Sequence, residues 1–526
     1  MQRETWKSRV GIILAVAGSA VGLGNFLRFP VQCAQNGGGA FMIPYFCALL
    51  FLGIPLMWVE WAIGRYGGSY GHGSSPGMFQ RLWKNPIAKY LGSFALVVNF
   101  SICVYYVYVE SWTLAYAWFS ISGKYFGITD PVEMGLFLSS FQGIGTSSHF
   151  SGIGAAYLFF LLTFLANVYV LWHGIRGGIE KLCKIAMPTL FIFAIILMFR
   201  VFTLGTPDPT QPENSVINGL GFIWNPDFSR LSEAKVWLAA AGQIFFTLSV
   251  GFGCIHTYAS YLKRKDDIVL NGLSASLTNE VAEVIIGGSI AIPIAVAFFG
   301  LTATAMIAKG GAFNLGFQAM PLIFQKLPLG QLFGALWFIL LFFAGITSSV
   351  SMTQPAVAFL QDEFRFSRKK AVTTISVFWF LAAHLVIYFL RYGYLDEMDF
   401  WVGTLGVVLF AFMETIIFVW IFGPKNAWEE INLGADLKLP RFFLFVLKYI
   451  TPVYLLFILI SWAKQDAYRI LIMEGVPETN VPYIITARLV LVLTITVCGL
   501  LVFKAFRKKP DTVPNSVPNT ALEGSL

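Results

Sequence analysis

The first apolar stretch of the chain contains an interruption that an ordinary membrane-spanning helix would not carry. An apolar run from Val10 to Ala17 leads directly into Gly18-Ser-Ala-Val-Gly-Leu-Gly-Asn-Phe-Leu-Arg-Phe-Pro30. In a bilayer every backbone N–H and C=O must find a partner within the protein, so this polar, glycine-rich segment is poor material for a continuous span. The pattern is reasonable if the helix unwinds halfway across the membrane and its freed backbone groups hold a ligand.

Composition places the whole chain, and not only this stretch, in a membrane. Its 526 residues are 57% hydrophobic and only 12% charged, whereas a soluble domain carries about 25% charged residues. Apolar stretches of about 20 residues, the length that crosses a bilayer, recur along the chain. We predict twelve spans, near residues 9–35, 39–67, 88–121, 152–172, 177–202, 236–262, 269–301, 331–363, 367–389, 394–422, 441–463 and 483–506.

A second interruption lies in the predicted sixth span. Gln243-Ile-Phe-Phe-Thr-Leu-Ser-Val-Gly-Phe-Gly253 has the same order of apolar approach and glycine-rich break, and the apolar pattern then resumes. Gly22 lies in the predicted first span and Gly251 in the sixth, five spans later. Interrupted spans at corresponding positions of two halves are the best sequence indication of a transporter binding site.

The two interruptions also indicate how the chain is organised. We predict an all-α polytopic membrane protein with 12 transmembrane helices, in which helices 1–5 and 6–10 form a 5+5 inverted repeat and helices 1 and 6 unwind at mid-membrane. The two repeats and the final pair of helices are expected at residues 9–202, 236–422 and 441–506. All belong to one transmembrane transporter domain, residues 1–509, and residues 510–526 form a disordered cytoplasmic tail.

The net charge of +8 could suggest a nucleic-acid partner, but its distribution indicates a membrane instead. Lys and Arg cluster in segments on one side of the predicted spans, for example at residues 263–265, 368–370 and 507–509. Because basic loops stay on the cytoplasmic side, we predict that both termini are cytoplasmic. The chain is expected in the cell's inner (plasma) membrane as a multi-pass protein, with the lipid bilayer as its partner. The sequence leaves a homodimer open.

Oxygen-bearing side chains stand in the middle of several predicted spans. Sodium is a hard cation that prefers such oxygen ligands. The residues concerned are Asn25, Thr247, Asn279, Thr347 and Ser348. Each alone could equally be a hydrogen-bonding contact between packed helices, worth about 1 kcal/mol. Together with the two breaks, they favour a cation site.

Cysteine and histidine usage argues against an enzyme. The six cysteines and five histidines are scattered, without the spacing of a metal site or a disulfide framework. A membrane-embedded enzyme would need a nucleophile with a base, or a metal. Among the histidines only His256 lies near a break, and it is expected to pack within the sixth span. An ion channel with broken helices is the remaining rival outside the transporter class.

Two motifs connect the chain to a known family. Gly22-Leu-Gly-Asn-Phe-Leu-Arg-Phe-Pro30 and Asn36-Gly-Gly-Gly-Ala-Phe41 resemble the signature of the neurotransmitter:sodium symporter family, in a bacterial form. The similarity extends from about Trp6 to about Lys509. It implies the LeuT fold and a sodium-coupled symporter that works by alternating access. A proton-coupled amino-acid transporter of the same broad fold is the alternative.

The resemblance implies two sodium ions, each with its own set of ligands. The first set is the Ala20 carbonyl, Asn25, Thr247, Asn279 and the carboxylate of the substrate. The second set is the carbonyls of Gly18, Val21 and Ala344 with Thr347 and Ser348. The last two side chains favour sodium over a proton, because proton-coupled relatives often have a lysine in place of that ion.

The substrate is expected at the first break. A half-helix that begins there directs N–H groups at an anion, so the amides of Leu23 and Gly24 are suited to a carboxylate. By resemblance, Tyr106 assists them. Monoamine carriers of the family have an aspartate at the position of Gly22, so glycine predicts a substrate that brings its own carboxylate, an α-amino acid.

The rest of the substrate would meet backbone groups and an apolar pocket. By resemblance, its amino group contacts the carbonyls of Ala20, Phe246 and Thr247 and the Ser348 hydroxyl. The pocket for its side chain is lined by Ile102, Phe246, Ser249, Phe252, Ser349 and Met352. This lining predicts a neutral, apolar amino acid.

The resemblance also assigns charged residues around the site. Glu283 takes the place of the chloride ion bound by other members, which predicts chloride independence, and Glu60 and Gln243 are expected in its polar network. The outer gate pair is Arg28 and Asp399. The inner gate is Arg3 with Asp362, supported by Trp6, Tyr261 and Gln354.

Overall fold

The helices of this protein follow the apolar segments of its sequence closely. The structure is a computed structural model that describes residues 4–507. Arg3 of the predicted inner gate and the predicted tail at 510–526 therefore lie outside the described residues. Within the described part there is no β-strand, and the one isolated bridge joins Gly38 to Pro226. Helices satisfy their own backbone groups, which is what apolar segments of this length require in lipid.

Ten of the described helices are long and apolar enough to cross a bilayer. Their order along the chain matches the predicted spans 2–5 and 7–12. They are Gly39–Ser69, Ala88–Ser122, Gly154–Trp172, Ile175–Phe202, Ile268–Lys309, Gly330–Phe364, Arg368–Tyr392, Tyr394–Ile421, Phe442–Gln465 and Val481–Arg507.

The first span is broken as the sequence predicts. Ser8 begins it by accepting a hydrogen bond from the Gly11 N–H at 3.0 Å. The helix Arg9–Ala20 then ends, and Leu23–Gln35 continues at an angle of 44° to it. Counted as one span, this pair brings the number of spans to eleven.

The sixth span is broken too, and its two pieces are shorter. Ala234–Leu248 ends at Ser249, and the helix resumes only at Cys254–Ala259. Ser249, at φ 54°, and Gly251, at φ 80°, turn the backbone into the left-handed region between the two pieces. The pieces are too short to count as a span by length alone, so the total of twelve remains a prediction.

The broken spans occupy the centre of the helix packing. Arg9–Ala20 packs against Ile268–Glu280, Glu180–Phe202 and Gly330–Phe364, and Cys254–Ala259 packs against the second and eighth spans. The twelfth span instead exposes a row of large apolar side chains, among them Leu489, Val492, Leu493 and Leu500. An exposed apolar row on a helix of this length is suited to lipid. The architecture thus buries both breaks.

The seventh span departs from its predicted bounds. We predicted an end near residue 301, but the helix continues to Lys309 through a bend at Gly300, where φ is 78°. Its segment Val281–Gly287 is a π-helical turn. Such wider turns reorient side chains and are frequent at functional sites. Here the turn carries Glu283.

Candidate functional site

The first break presents free backbone groups to a tyrosine of the third span. The helix Leu23–Gln35 begins after Gly22, and the Leu23 N–H lies 3.5 Å from the Tyr106 hydroxyl. A Cβ built on Gly22 would lie 3.3 Å from that hydroxyl and 3.0 Å from the Ser348 Oγ. Glycine therefore keeps open the space between these groups, which the sequence predicted for the substrate carboxylate.

Oxygen atoms converge where the first and sixth spans meet the seventh. Asn279 Oδ1 lies 3.1 Å from the Thr247 carbonyl oxygen and 3.3 Å from the Ala20 carbonyl oxygen. The Asn279 amide has two possible orientations here. Its nitrogen can donate hydrogen bonds to both carbonyls, or its oxygen can face them with a cation bound between the three oxygen atoms. The donor set is the type that a hard cation prefers, so these residues fit sodium.

Asn25 belongs to the same cluster but faces it with its nitrogen. Its Nδ2 lies 3.1 Å from Thr247 Oγ1 and 2.8 Å from Asn279 Oδ1. Its Oδ1 accepts a hydrogen bond from the Gly22 N–H at 2.8 Å. The predicted ligands of the first ion are thus brought together, and Asn25 would offer its oxygen only after its amide turns over.

The second predicted cluster joins the first span to the eighth. Ser348 Oγ lies 3.4 Å from the Gly18 carbonyl oxygen and 3.0 Å from the Ala344 carbonyl oxygen. The Thr347 hydroxyl lies 3.2 Å from the same Ala344 oxygen. Val21 is the remaining predicted ligand, and its extended backbone, with ψ 90°, directs its carbonyl out of the helix. Four oxygen donors again converge, which fits a second hard cation.

Glu283 is fully buried beside the first cluster and receives three hydrogen bonds. Gln243 Nε2 donates to it at 2.9 Å, the Tyr45 hydroxyl at 3.1 Å and Asn25 Nδ2 at 3.0 Å. The predicted link between Glu283 and Gln243 is therefore present. Glu60 is not part of this network, because it accepts from the Gly251 N–H at the sixth-span break instead. This corrects the expectation for Glu60.

The predicted pocket residues surround both breaks. A Cβ on Gly24 would lie 2.7 Å from the Phe246 ring, so this ring packs directly on the first break. The Ser249 hydroxyl donates to the Ser19 carbonyl at 2.8 Å, and the Phe252 carbonyl accepts from Asn99 at 2.5 Å.

Two further walls of the pocket are apolar, and one predicted member faces elsewhere. Ile102 and Met352 are buried. The Ser349 hydroxyl donates to Asn167 Oδ1 of the fourth span at 2.6 Å. Asn167 in turn donates to Glu110 at 3.1 Å. The Ser349 hydroxyl therefore forms its hydrogen bond outside the pocket.

The outer gate residues lie near the site but do not form a direct ion pair with each other. The Arg28 guanidinium lies 4.6 Å from the centre of the Phe246 ring, and its Nη1 lies 3.4 Å from the Gly242 carbonyl. Asp399 accepts a hydrogen bond from the Tyr105 hydroxyl at 2.5 Å. Each charge thus has its own partner.

The inner gate is described in part. Trp6 Nε1 donates to the Tyr258 carbonyl at 2.9 Å. Gln354 Nε2 donates to the Tyr261 hydroxyl at 3.0 Å, so two of the predicted supporting residues are in contact. Asp362 lies near the end of Gly330–Phe364. Its predicted partner Arg3 is outside the described residues, so their pairing stays a prediction.

A family model matches this arrangement along nearly the whole chain. The Sodium:neurotransmitter symporter family model covers residues 3–126 and 130–508. The chain belongs to this family. It is accordingly a sodium-dependent transporter and not an enzyme, and it spans the membrane several times.

Individual relatives are similar over most of their length. An uncharacterised sodium-dependent transporter of Methanocaldococcus jannaschii is 33% identical, over 95% of this chain and 98% of the relative. The mouse sodium-dependent neutral amino acid transporter B(0)AT3 is 26% identical, over 88% and 84%. The crystal structure of MhsT in complex with L-phenylalanine matches with a TM-score of 0.74 and 29% sequence identity. The match covers 88% of this chain and 100% of the MhsT chain. This likeness confirms the predicted all-helical LeuT fold.

Several polar residues of the transporter's interior were missed by sequence reasoning. Tyr45 donates to both Glu280 and Glu283, at 2.9 and 3.1 Å, and Tyr105 holds Asp399. Asn167 connects the fourth span to the eighth. The one available signal was a polar or ionisable side chain within an apolar span, which does not say which partner it meets.

Proposed function

We propose that this transporter couples sodium entry to the uptake of neutral, apolar α-amino acids by alternating access, without chloride. The observation that supports it best is the convergence of the Asn279 side-chain amide with the carbonyls of Ala20 and Thr247. It stands beside a helix break whose free N–H faces Tyr106. Backbone groups at one place can thus hold a cation and an amino acid together.

The coupling would come from a shared ligand. In the proposed site the first sodium has oxygen ligands from Ala20, Thr247 and Asn279, with Asn25 after its amide turns, and it is completed by the substrate carboxylate. The carboxylate is held in turn by the Leu23 N–H and the Tyr106 hydroxyl. Sodium and the substrate therefore each improve the binding of the other by the same factor, which corresponds to a reciprocal coupling free energy.

A second sodium, held at Thr347 and Ser348, would add to the driving force. Moving one elementary charge across a potential of 100 mV is worth about 2.3 kcal/mol. Two ions per cycle would therefore contribute about 4.6 kcal/mol from the potential alone. The number of ions is part of the proposal.

The substrate class follows from space and lining. Gly22 leaves room for a carboxylate, and the apolar walls at Ile102 and Met352 favour an uncharged side chain. Methionine adapts its shape readily, so the pocket is suited to several apolar side chains rather than to one. The L-phenylalanine bound to MhsT and the neutral amino acids in the name of the mouse relative support this class.

Chloride independence rests on Glu283. A fixed carboxylate beside the first cation site supplies the negative charge that chloride would otherwise bring. Its hydrogen bonds to Gln243, Tyr45 and Asn25 hold it in place there.

The movement would be a rocking of part of one transmembrane domain around the two breaks. Arg28 and Asp399 would close the outer side, and Asp362 with Arg3 the inner side. We propose that the 5+5 inverted repeat underlies this exchange. We further propose that both termini face the cytoplasm from the inner (plasma) membrane.

The test is uptake into proteoliposomes with a panel of amino acids and with sodium exchanged for potassium. We expect concentrative uptake of apolar amino acids in sodium, undiminished when gluconate replaces chloride, and a strong loss in potassium. Uptake that ignores the exchange and follows a pH gradient instead would favour the proton-coupled alternative.

A pair of variants connects this result to the site. Thr247→Val removes a hydroxyl of the first cluster, and we expect it to weaken sodium dependence. Thr278→Val removes a hydroxyl that only donates to Ser274 of its own helix at 2.7 Å, so it should behave like wild type. Equal sodium affinities in the two variants would show that the Thr247 hydroxyl is not a ligand of the first sodium.

A further inference from the structure

Three ionisable side chains from three spans meet in the interior, outside the proposed sodium sites. Glu60 belongs to the second span, His256 to the helix after the sixth-span break and Glu414 to the tenth span. All three have a relative exposure of 0%. One ligand atom of each lies within 4.8 Å of those of the other two. The proposed transport mechanism uses none of them.

The contacts connect this cluster of Glu60, His256 and Glu414 to the break. His256 Nε2 lies 3.2 Å from Glu414 Oε2, and its Nδ1 lies 2.9 Å from the Ser75 hydroxyl. Glu60 Oε1 accepts a hydrogen bond from the Gly251 N–H at 2.5 Å. One end of the cluster therefore holds the backbone that separates the two halves of the sixth span.

The cluster has more acceptors than donors. Both Glu414 oxygens, Glu60 Oε2 and His256 Nε2 are buried without a hydrogen-bond partner in the described chain. Within residues 4–507 no lysine or arginine forms an ion pair with either carboxylate. The Phe79 and Phe410 rings also lie beside His256, with centres 6.1 and 5.9 Å from the centre of its ring.

This surplus of acceptors requires a cation of some kind. Two ionised carboxylates this close, away from water, repel each other, and burial disfavours both charges. The other titratable groups on this short helix, the Cys254 thiol and the Tyr258 hydroxyl, are neutral or negative and cannot compensate. The cluster must therefore bind a positive charge.

Two kinds of cation could serve, a metal ion or a proton. The ligand atoms of the three side chains lie within 4.8 Å of one another, and His256 Nε2 lies 3.2 Å from Glu414 Oε2. Zinc would need at least one ligand more than these three. A proton needs none, because one carboxylate oxygen can carry it. The proton is therefore the cation that the cluster can hold by itself, and zinc binding is an outcome of the test.

We infer that Glu60, His256 and Glu414 form a proton-binding site that links pH to the sixth-span break. The proton is carried by the Glu414 carboxylate, whose Oε2 lies 3.2 Å from His256 Nε2. When it leaves for solvent, both carboxylates are charged and repel. Glu60 transmits this to Gly251, in the same break that positions Ser249 and Phe252 of the proposed pocket. Only this last step, the effect on transport, rests on the proposed function.

Proton binding itself is tested without transport, by infrared difference spectra of the full-length protein in vesicles as pH rises. We expect wild type to lose a carbonyl band of a protonated carboxylic acid, and Glu414→Gln to lack this component. His256→Gln should shift the midpoint of the loss. His384→Gln is the matched control, because that histidine contacts Tyr157 at 3.0 Å, outside the cluster, and should titrate like wild type.

The effect on transport is tested by sodium-driven uptake at equal pH on both sides. We expect uptake by wild type to fall as pH rises, and Glu414→Gln, which resembles the protonated form, to flatten this profile. If this variant does not fold, Glu60→Gln replaces it. A wild-type titration in both cluster variants would overturn the inference. So would saturable binding of one zinc ion, measured with zinc chloride alone, that is lost in His256→Gln. Wild type without sodium-dependent uptake at any pH would contradict the proposed function and leave the infrared test standing.

Discussion

Replacing Gly22 by alanine tests the proposed carboxylate site with the smallest possible change. The backbone at Gly22, with φ −115° and ψ −166°, is extended, so alanine can adopt it without strain. The new methyl group would lie 3.3 Å from the Tyr106 hydroxyl and 3.0 Å from Ser348 Oγ. It would therefore fill the space between the groups proposed to hold the substrate, and the Ser348 and Tyr106 hydroxyls would have to shift by a few tenths of an ångström to admit it.

The magnitude follows from the contacts that the methyl group displaces. The substrate carboxylate is proposed to accept from the Leu23 N–H and the Tyr106 hydroxyl, and a hydrogen bond to a charged group is worth about 1.5–3 kcal/mol. Losing both costs about 3–6 kcal/mol, and each 1.4 kcal/mol is tenfold in affinity. We expect amino-acid affinity to fall by at least about 100-fold, since the weaker limit is about 3 kcal/mol.

The assay is equilibrium binding of a radiolabelled apolar amino acid to purified protein in sodium, with thermal unfolding measured in parallel. Gly242→Ala is the matched control, because a Cβ there meets nothing within 4 Å. It should bind like wild type. If Gly22→Ala also binds like wild type and unfolds at the same temperature, the carboxylate does not lie beside Tyr106 and the reasoning is wrong.

Three further predictions concern the ions and the outer gate. The double variant Thr347→Ala, Ser348→Ala should lower sodium affinity at least about tenfold, since one contact to a charge is worth about 1.5–3 kcal/mol. Titrating uptake with sodium measures this affinity. An unchanged sodium concentration at half-maximal uptake would contradict the second site. Glu283→Ser should make uptake depend on chloride, which exchange for gluconate detects; uptake that stays chloride-independent argues against the assigned role. Tyr105→Phe removes the hydrogen bond to Asp399. Because a hydrogen bond to a charged group is worth about 1.5–3 kcal/mol, substrate release should become about tenfold faster in a chase experiment. An unaltered release rate would show that this contact does not restrain the gate.

The spans and the breaks could be predicted because their signals are local. Apolar length fixed Ala88–Ser122 to within a residue of its predicted end at 121, and glycine-rich segments located both interruptions. The seventh span ran past its predicted end because Gly300 bends the helix without terminating it. A glycine signals a change of direction but does not say whether a helix stops or continues.

Contacts between distant spans could not be predicted in the same way. Glu60 was expected near Glu283 but holds Gly251, and Arg28 lies over Phe246 while Asp399 binds Tyr105. Such pairings depend on the rotation and tilt of each helix, which an apolar pattern with no polar face leaves open. The ligand clusters were more predictable, because the family motif supplied partners that periodicity could not.

The two breaks differ in how readily their glycines can be replaced. At Gly22 the backbone is extended, so another residue can occupy the position without backbone strain, and its side chain would enter the proposed binding site. At Gly251, with φ 80° and the Val407 carbonyl 2.4 Å from any added Cβ, nearly every replacement damages the scaffold first. Related transporters should therefore vary at the position of Gly22 and keep glycine at the position of Gly251.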